Sequence, residues 1–353
     1  MTHVSVYSLP PEAVAAAVAE AGAPKFRARQ ILEGLYGRCA ASWDAVTNLP
    51  RDLRAFLASR WLDLDGTLAV EEVAGEESTG TRKILGRLAD GEFVETVLIP
   101  APDGRVTACV SSQVGCPCRC AFCASGIGGC VRSLSSGEIV AQMVRASLVA
   151  GRRPDNVVFM GIGEPFLNYD SVMAAIRRLN APAPEGLGIG ARRITVSTSG
   201  IVPGIERFAG EGLQVELSVS LHAPDDETRS RLMPVNRRWP LGELVPACRA
   251  YTEKTGRIVT FEYTLVSGVN DSPAHAKALL RLLRPFPSRV NLIPLNPVPE
   301  FGGVAPPPAS CEDFRLALVR GGLNATLRRS KGRGVNASCG QLRRARALEA
   351  AAR

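Results

Sequence analysis

Gly115-Cys-Pro-Cys-Arg-Cys-Ala-Phe-Cys123 places four cysteines within eight residues. Cys116, Cys120 and Cys123 follow a C-x3-C-x2-C spacing, which brings three thiolates around one loop to a common point. Three thiolates bind three irons of a four-iron, four-sulfur cluster and leave the fourth iron without a protein ligand, whereas most electron-transfer clusters have four cysteine ligands. A small molecule can then occupy the open iron. The spacing therefore predicts a cluster that takes part in chemistry, with these three cysteines as its ligands.

Two other uses of the cysteines remain open at this point. Cys118 adds a fourth thiol, so a structural zinc site is conceivable. Zinc sites, however, usually take two separated pairs of ligands, and here one loop would have to close a tetrahedron on itself. A disulfide framework is the second alternative, and it requires an oxidising compartment. The spacing favours the cluster over both.

The three-cysteine spacing is similar to that of the radical S-adenosylmethionine (SAM) enzymes. In those enzymes the amino and carboxylate groups of SAM chelate the open iron. The resemblance implies one 4Fe-4S cluster per chain and SAM as a cofactor.

The overall composition is that of an ordinary soluble globular protein. Hydrophobic residues make up 46% of the chain and charged residues 22%. A length of 353 residues is enough for one large domain and a smaller one. The first residues show no secretory pattern, and no apolar run is long enough to span a membrane. Ten cysteines in such a chain indicate a reducing compartment. We therefore expect a cytoplasmic protein without membrane attachment.

The charge pattern indicates a polyanionic partner. The formal net charge is +8, and an excess of basic residues is typical of proteins that bind nucleic acids. The region around Cys339 is strongly basic and contains no acidic residue from 328 to 346. A phosphate-binding surface is the favoured interpretation, and a solvated helix end is the alternative. The basic residues are Arg328, Arg329, Lys331, Arg333, Arg343, Arg344 and Arg346.

The pattern along the chain changes from helical to strand-like after the first 60 residues. Helices are predicted over Ala13–Ala21, Phe26–Tyr36 and Arg51–Ser59. Strands follow at 82–86 and 92–99, joined by a turn at 89–91. The predicted parts are a helical accessory domain (1–60), a β-rich connecting extension (61–104), a barrel (105–300) and a C-terminal extension carrying Cys339 (301–353).

From residue 105 onward, predicted strands and helices alternate. Six strand–helix units imply a parallel sheet with crossover helices. Since a closed barrel of this type has eight strands, we expect an α/β fold with a partial (β/α)6 barrel and an active site at the carboxyl ends of its strands. The predicted strands are Val106–Val110, Asn156–Met160, Arg193–Ser197, Val215–Leu221, Ile258–Val266 and Val290–Pro294.

Polar or flexible residues follow several of these strands. Glycine lets the backbone approach a ligand closely, and Glu164 adds a charged acceptor for the SAM ammonium; a tight turn capped by Glu164 is the alternative. Hydroxyl, imidazole and amide groups follow the third, fourth and sixth strands. The residues expected to bind SAM are Gly163, Glu164, Ser197, Ser220, Leu221, His222 and Asn296.

The chain resembles the RlmN and Cfr family of radical SAM RNA methyltransferases over about residues 20–345. The adenine carbon-2 branch (RlmN) fits better than the carbon-8 branch (Cfr). The matching segments are Phe93-Val-Glu-Thr-Val-Leu-Ile-Pro100, Cys109-Val-Ser-Ser-Gln-Val-Gly-Cys116, 161–168, Ser197-Thr-Ser-Gly-Ile-Val-Pro203, Ser220-Leu-His-Ala-Pro224 and Asn336-Ala-Ser-Cys-Gly-Gln-Leu342.

The resemblance implies roles for three further residues. Cys339 matches the cysteine that receives a methyl group from one SAM. Cys109 matches the cysteine that attacks the Cys339 sulfur, forms a disulfide and releases the modified RNA, and Glu95 matches the proton acceptor. A second SAM, bound at the cluster, is cleaved to a 5′-deoxyadenosyl radical that takes hydrogen from the Cys339 methyl group. Each turnover then uses two SAM molecules.

The implied reaction is methylation of carbon 2 of an adenosine in 23S rRNA, in the peptidyl-transferase centre, and in some members also in tRNA. The implied partners are the RNA and an electron donor such as flavodoxin or ferredoxin, and we expect a monomer. Residues 1–60, with Lys25, Arg27 and Arg29 on an early helix, are expected to bind RNA. The alternatives are carbon-8 methylation and, from another class, a non-catalytic metal-binding RNA-binding protein, which would have no use for Cys339.

Four features depart from the family pattern. No aromatic residue lies near Cys130, and Arg132-Ser133-Leu134 replaces Arg-Asn-Leu. Cys118 is additional, and Leu295 replaces a common tryptophan. Because these positions should border the cavity for SAM and substrate, they affect the expected substrate choice more than the expected reaction.

Overall fold

The computed structural model describes residues 4–328 and 330–342. Four of the basic residues expected to surround Cys339 lie outside the described residues: Arg329, Arg343, Arg344 and Arg346. None of the helices in these two ranges is both long and apolar enough to cross a membrane.

The N-terminal region is helical, as predicted. Pro11 begins the first helix, a position where a missing backbone N–H costs no helical hydrogen bond. The predicted second helix changes to a π-helical turn over its last residues, Glu33–Gly37. The helices are α1 (Pro11–Glu20), α2 (Phe26–Leu32), α3 (Arg51–Arg60) and α4 (Leu64–Thr67).

A ten-stranded sheet organises the rest of the molecule, and a two-stranded hairpin lies beside it. The strands are β1 (Leu68–Glu76), β2 (Thr81–Leu88), β3 (Phe93–Pro100), β4 (Val106–Cys109), β5 (Gln113–Gly115), β6 (Cys130–Ser133), β7 (Asn156–Phe159), β8 (Ile194–Thr198), β9 (Glu216–Ser220), β10 (Val259–Leu265), β11 (Ser288–Pro294) and β12 (Asn324–Leu327).

The sheet combines an antiparallel extension with a parallel barrel. Strands β1 to β4 are antiparallel neighbours, whereas β4, β7, β8, β9, β10, β11 and β12 run parallel in that order. All six predicted barrel strands are present, which confirms the partial barrel. The sheet also contains a seventh parallel strand, β12, which the sequence analysis did not predict. Its four residues alternate between exposed and buried and include polar Asn324 and Thr326, so its apolar pattern is too short to recognise.

Helices connect the parallel strands and cover the outside of the barrel. Ser135 and Glu138 form a capping box at the start of the first of them. The helices are α5 (Ser136–Ala150), α6 (Tyr169–Asn180), α7 (Val202–Phe208), α8 (Asp226–Leu232), α9 (Leu241–Thr255), α10 (Pro273–Leu283) and α11 (Pro308–Arg320).

The N-terminal helices share one hydrophobic core with the barrel. The Gly137 backbone N–H at the start of α5 donates to the Ser8 hydroxyl at 3.0 Å. Arg145, on the same helix, donates to the Ala41 carbonyl at 3.3 Å. The outer barrel surface at α5 is therefore covered, and the carboxyl ends of the parallel strands are left to form the site.

Candidate active site

The cysteine loop connects β5 to β6, and backbone conformation closes it. Gly115 has φ +78°, and a Cβ at this position would lie 2.0 Å from the Gly129 carbonyl oxygen. At the other side of the loop, a Cβ on Gly126 would lie 2.8 Å from the Arg119 Cα. Because only glycine fits at these two positions, the loop folds tightly onto itself. The cysteine spacing and the glycines thus act together to bring the thiols to one place.

A cavity with about 910 Å³ of empty space opens in front of this loop. We call it the cofactor cavity. The three predicted cluster cysteines line it at one side, and the carboxyl ends of the parallel strands line the other. Its polar lining includes Cys116, Cys120, Cys123, Glu164, Ser199 and His222.

The donor set fits an iron–sulfur cluster. Three thiols share one wall of the cavity. Burial raises the pKa of Cys120 well above its ordinary value, so its thiolate is unfavourable unless a bound metal stabilises it. Within the described ranges, no three Cys, His, Asp or Glu side chains are arranged to hold a single metal ion. Cys118 lines the same cavity, with its sulfur 3.3 Å from the Ser199 hydroxyl.

Glu164 is buried and lines the cofactor cavity. Its carboxylate accepts hydrogen bonds from the Phe166 N–H at 3.0 Å and from the Ser199 N–H at 2.6 Å. The capping geometry considered as the alternative is therefore present, since Glu164 caps the short helix over 165–168. Burial raises the pKa of this carboxyl. The hydroxyls of Thr198 and Ser199 also hydrogen-bond to this carboxylate, so its position at the cavity wall is fixed by four donors.

His222 presents a defined neutral imidazole to the cofactor cavity. Its Nδ1 accepts a hydrogen bond from the Thr264 N–H at 2.8 Å, so the proton is on Nε2. Burial lowers the pKa of His222 to about 3, and the ring is therefore uncharged at neutral pH. Phe122 packs edge-on against it, with ring centroids 4.7 Å apart. His222 is thus suited to donate a hydrogen bond to a ligand rather than to carry charge.

The other predicted SAM-binding residues divide into two groups. Gly163, Ser197, Ser220 and Asn296 line the cofactor cavity. Leu221 is fully buried and is not among the residues that line it; its carbonyl instead accepts a hydrogen bond from Arg229 at 3.1 Å.

Cys339 lies in the wall between the cofactor cavity and a second cavity. The second cavity has about 720 Å³ of empty space and is also lined by Cys109, Ser330 and Lys331. We call it the cysteine cavity. Cys339 and Arg328 line both cavities. The two cysteines are 230 residues apart in the chain, yet they line the same cavity.

Cys109, at the end of β4, is a buried thiol. Burial, together with the neighbouring Cys339, raises its pKa to about 12, and the charge of Arg328 acts in the opposite direction. The Cys339 sulfur in turn raises the pKa of Arg328. Arg328 is therefore the guanidinium that faces both sulfurs.

The segment that carries Cys339 is held by hydrogen bonds to loops. Asn296 donates to the Cys339 carbonyl at 3.0 Å and accepts from Arg333 at 3.0 Å. The Ala124 N–H in the cysteine loop donates to the Gly340 carbonyl at 2.7 Å. Asn296 thus contacts the C-terminal segment as well as the cofactor cavity.

A carboxylate from the β extension holds the same segment further upstream. Glu76 accepts hydrogen bonds from the Gly332 N–H at 2.7 Å and from the Gly334 N–H at 2.8 Å. The C-terminal segment is therefore held from two sides, by the barrel loops and by β1.

Glu95 lies on β3 and is buried. Its carboxylate pairs with Lys83 on β2 at 2.9 Å. It shares a face of the strand with Val97, which is directly opposite Cys109 in the sheet. Glu95 is therefore two residues along β3 from the position opposite Cys109. It is not among the residues that line either cavity.

The structure also brings in residues that the sequence analysis did not select. Glu262 and Thr264 line the cofactor cavity, and their alternation with Phe261 and Tyr263 along β10 was a usable signal that polar groups face the barrel interior. Ser199 extends the third strand end by two residues. Arg328 was named in the sequence analysis only as part of the basic region around Cys339, and since it follows the unpredicted strand β12, no strand-end rule could have placed it at the cavity.

Comparison with known proteins agrees with this geometry. Residues 110–280 match the Radical SAM superfamily, which implies a 4Fe-4S cluster and SAM. The chain is 48% identical over 335 residues to a probable dual-specificity RNA methyltransferase RlmN from Symbiobacterium thermophilum, covering 94% of this chain and 89% of that relative. A relative of the same name from Halalkalibacterium halodurans is 46% identical over 343 residues, covering 96% and 93%.

A solved structure shows the same fold over almost the whole length. The crystal structure of a radical SAM methyltransferase from Sphaerobacter thermophilus matches with a TM-score of 0.92 and 48% sequence identity, covering 97% of this chain and 99% of that one. The resemblance inferred from the sequence motifs is confirmed, and the chain belongs to the RlmN family of radical SAM RNA methyltransferases.

Proposed function

We propose that this enzyme methylates carbon 2 of an adenosine in 23S rRNA, in the peptidyl-transferase centre, and also in tRNA. The observation that carries the proposal is the position of Cys339 in the wall between the cofactor cavity and the cavity of Cys109. A methyl carrier has to reach the cofactor first and a resolving thiol later. The relatives are named dual-specificity RNA methyltransferases, which supports more than one RNA substrate.

In this proposal Cys116, Cys120 and Cys123 hold one 4Fe-4S cluster. The residues that bind SAM are Gly163, Glu164, Ser197, Ser220 and His222. Leu221 contributes only through its backbone, and Asn296 also holds the C-terminal segment. The bound cluster and SAM supply the one-electron chemistry that activates the methyl group. Each turnover uses two SAM molecules, with flavodoxin or ferredoxin as reductant, and the enzyme acts as a monomer.

Cys339 acts as the methyl carrier, and Arg328 faces its sulfur. A thiol accepts a methyl group as its thiolate. Glu95 takes up the proton released from the adenine ring, and its carboxylate pairs with Lys83.

Cys109 then resolves the covalent protein–RNA adduct. Its thiolate attacks the Cys339 sulfur, a disulfide forms, and the bond between that sulfur and the transferred carbon breaks, with its electron pair left on the RNA side. Exchange of this kind requires a thiolate close to its target sulfur. The shared cysteine cavity supports this contact.

Two cysteine substitutions test the proposal. Cys109→Ala should accumulate a protein–RNA species joined through Cys339, visible as a slowly migrating, nuclease-sensitive band. Cys339→Ala should form no adduct and methylate nothing. Normal turnover by Cys109→Ala, or adduct formation by Cys339→Ala, would refute the mechanism. Mass spectrometry of nucleosides from 23S rRNA and tRNA of a deletion strain identifies the product, and loss of 8-methyladenosine instead of 2-methyladenosine would assign the alternative carbon.

A further inference from the structure

Arg229 is fully buried beneath the cofactor cavity. It lies on α8, directly behind the carboxyl ends of β8 and β9. Its guanidinium donates to the Ser199 carbonyl at 2.8 Å and to the Ser220 carbonyl at 3.0 Å. Both serines line the cofactor cavity. Arg229 is thus separated from that cavity by a single layer of backbone.

All hydrogen-bond acceptors of this cation are neutral. Besides the two serine carbonyls, they are the Leu221 carbonyl at 3.1 Å, the Trp239 carbonyl at 3.5 Å and the Asn236 side-chain oxygen at 2.6 Å. Within residues 4–328 and 330–342, no carboxylate forms an ion pair with Arg229. The Asp226 carboxylate is exposed and forms no hydrogen bond with Arg229; it binds the Asn236 amide and acts on Arg229 only through its charge.

A buried charge without a counter-charge is strongly unfavourable, so its presence calls for a compensating anion. Burial lowers the pKa of Arg229 only to about 10, and the side chain is therefore charged at neutral pH. Glu164, the buried carboxylate of the same cavity, is hydrogen-bonded to backbone N–H groups instead. The one carboxylate whose charge acts on Arg229 among the described residues is Asp226, and because it is exposed, solvent screens it.

The cysteine loop lies next to this cation, and it is anionic when it holds the cluster. The Ala121 N–H, between two predicted cluster ligands, donates to the Leu232 carbonyl at the end of α8 at 2.9 Å. The Cys118 sulfur contacts the hydroxyl of Ser199, whose carbonyl Arg229 binds. A four-iron cluster held by three thiolates carries net negative charge in both oxidation states, and more after reduction.

We infer that Arg229 is the built-in counter-charge of the iron–sulfur cluster and sets how easily the cluster accepts an electron. Cluster potentials depend on nearby charge, hydrogen bonding and burial, and a fixed cation stabilises the more negative, reduced form. The inference concerns the cofactor of the family and does not depend on which adenosine carbon is methylated. Arg229 acts here as a positioning and electrostatic residue, without touching substrate.

The test is a redox titration of the reconstituted holoenzyme, followed by electron paramagnetic resonance, without RNA. Arg229→Gln should lower the ratio of reduced to oxidised cluster tenfold or more at a given applied potential. For a one-electron couple, tenfold corresponds to a shift of the reduction potential of about 59 mV. Arg229→Lys keeps the charge and should stay near the wild-type potential. Arg145→Gln is the matched control, because Arg145 is also buried and donates to the Leu68 and Ala41 carbonyls, but on α5, outside the cofactor cavity lining.

An unchanged potential in Arg229→Gln with full iron content would overturn the inference, and so would an equal shift in Arg229→Lys or in Arg145→Gln. If Arg229→Gln does not retain a cluster, unfolding of the apoproteins decides. A variant apoprotein that unfolds like the wild-type apoprotein shows that the charge is needed only with the cluster and supports the inference. An apoprotein destabilised as strongly as Arg145→Gln shows a purely structural role and contradicts it.

Discussion

Glu76 links the β extension to the segment that carries Cys339, the proposed methyl acceptor, and its removal should release that segment. The carboxylate accepts from two backbone N–H groups, those of Gly332 and Gly334, and from the Thr79 hydroxyl. Hydrogen bonds to a charged group contribute about 1.5–3 kcal/mol each when well shielded. Because Glu76 is half-exposed, solvent weakens both bonds. We expect a net contribution of about 1–2 kcal/mol, which is a factor of roughly 5–30 in the closed population.

The assay is hydrogen exchange of the backbone amides in residues 331–342, measured by mass spectrometry on the wild type and on Glu76→Gln. Exchange at Gly332 and Gly334 should become faster by roughly that factor, while the core strands stay unchanged. Methylation of Cys339 should slow, whereas SAM cleavage at the cluster should continue. Glu77→Gln is the control, since Glu77 is the exposed neighbour. Unchanged exchange at both glycines in Glu76→Gln would refute the role of this contact.

The same contact predicts a pH dependence. Hydrogen bonds from Thr79, Gly334 and Gly332 lower the pKa of Glu76. A carboxyl group whose pKa is lowered by folding stabilises the fold above its ordinary pKa, and this stability is lost as the pH falls through the lowered value. Protection of the C-terminal segment should therefore be constant near neutral pH and decline below the ordinary carboxyl range. Glu76→Gln should remove this acid-dependent step from the exchange profile.

Three further sets of substitutions test other parts of the proposal. Replacing any predicted ligand cysteine by Ala should abolish the reconstituted cluster and SAM cleavage, whereas Cys118→Ala should leave both largely intact. Loss of the cluster in Cys118→Ala alone would overturn the ligand assignment. Gly340 has φ +83°, so Gly340→Ala should strain the backbone by about 1–2 kcal/mol and slow Cys339 methylation at unchanged iron content. Lys25 and Arg29 are exposed, and reversing both charges should weaken RNA binding and its salt dependence while SAM cleavage continues; unaltered binding would show that this region is only structural.

The elements of the barrel could be predicted because each is local. The strands that end at Thr198 and Ser220 alternate apolar and polar residues, and the cysteine spacing is contained within one loop. The pairing of Cys109 with Cys339 depended on family resemblance, since no local pattern connects residues 230 positions apart. The contacts of Glu76 could not be predicted for the same reason. Its partners lie 256 and 258 residues away, and two backbone N–H groups leave no signature in a sequence.

The way the C-terminal segment is held suits a cysteine with two successive partners. Cys339 and its neighbours lie in loops and short turns, and contacts to Asn296, Ala124 and Glu76 hold them. A strand or helix would fix Cys339 through a cooperative ladder of backbone bonds. Isolated hydrogen bonds contribute about 0.5–1.5 kcal/mol each, so they can exchange one at a time. This arrangement supports the proposal that Cys339 turns between the cofactor cavity and Cys109 while the barrel keeps its structure.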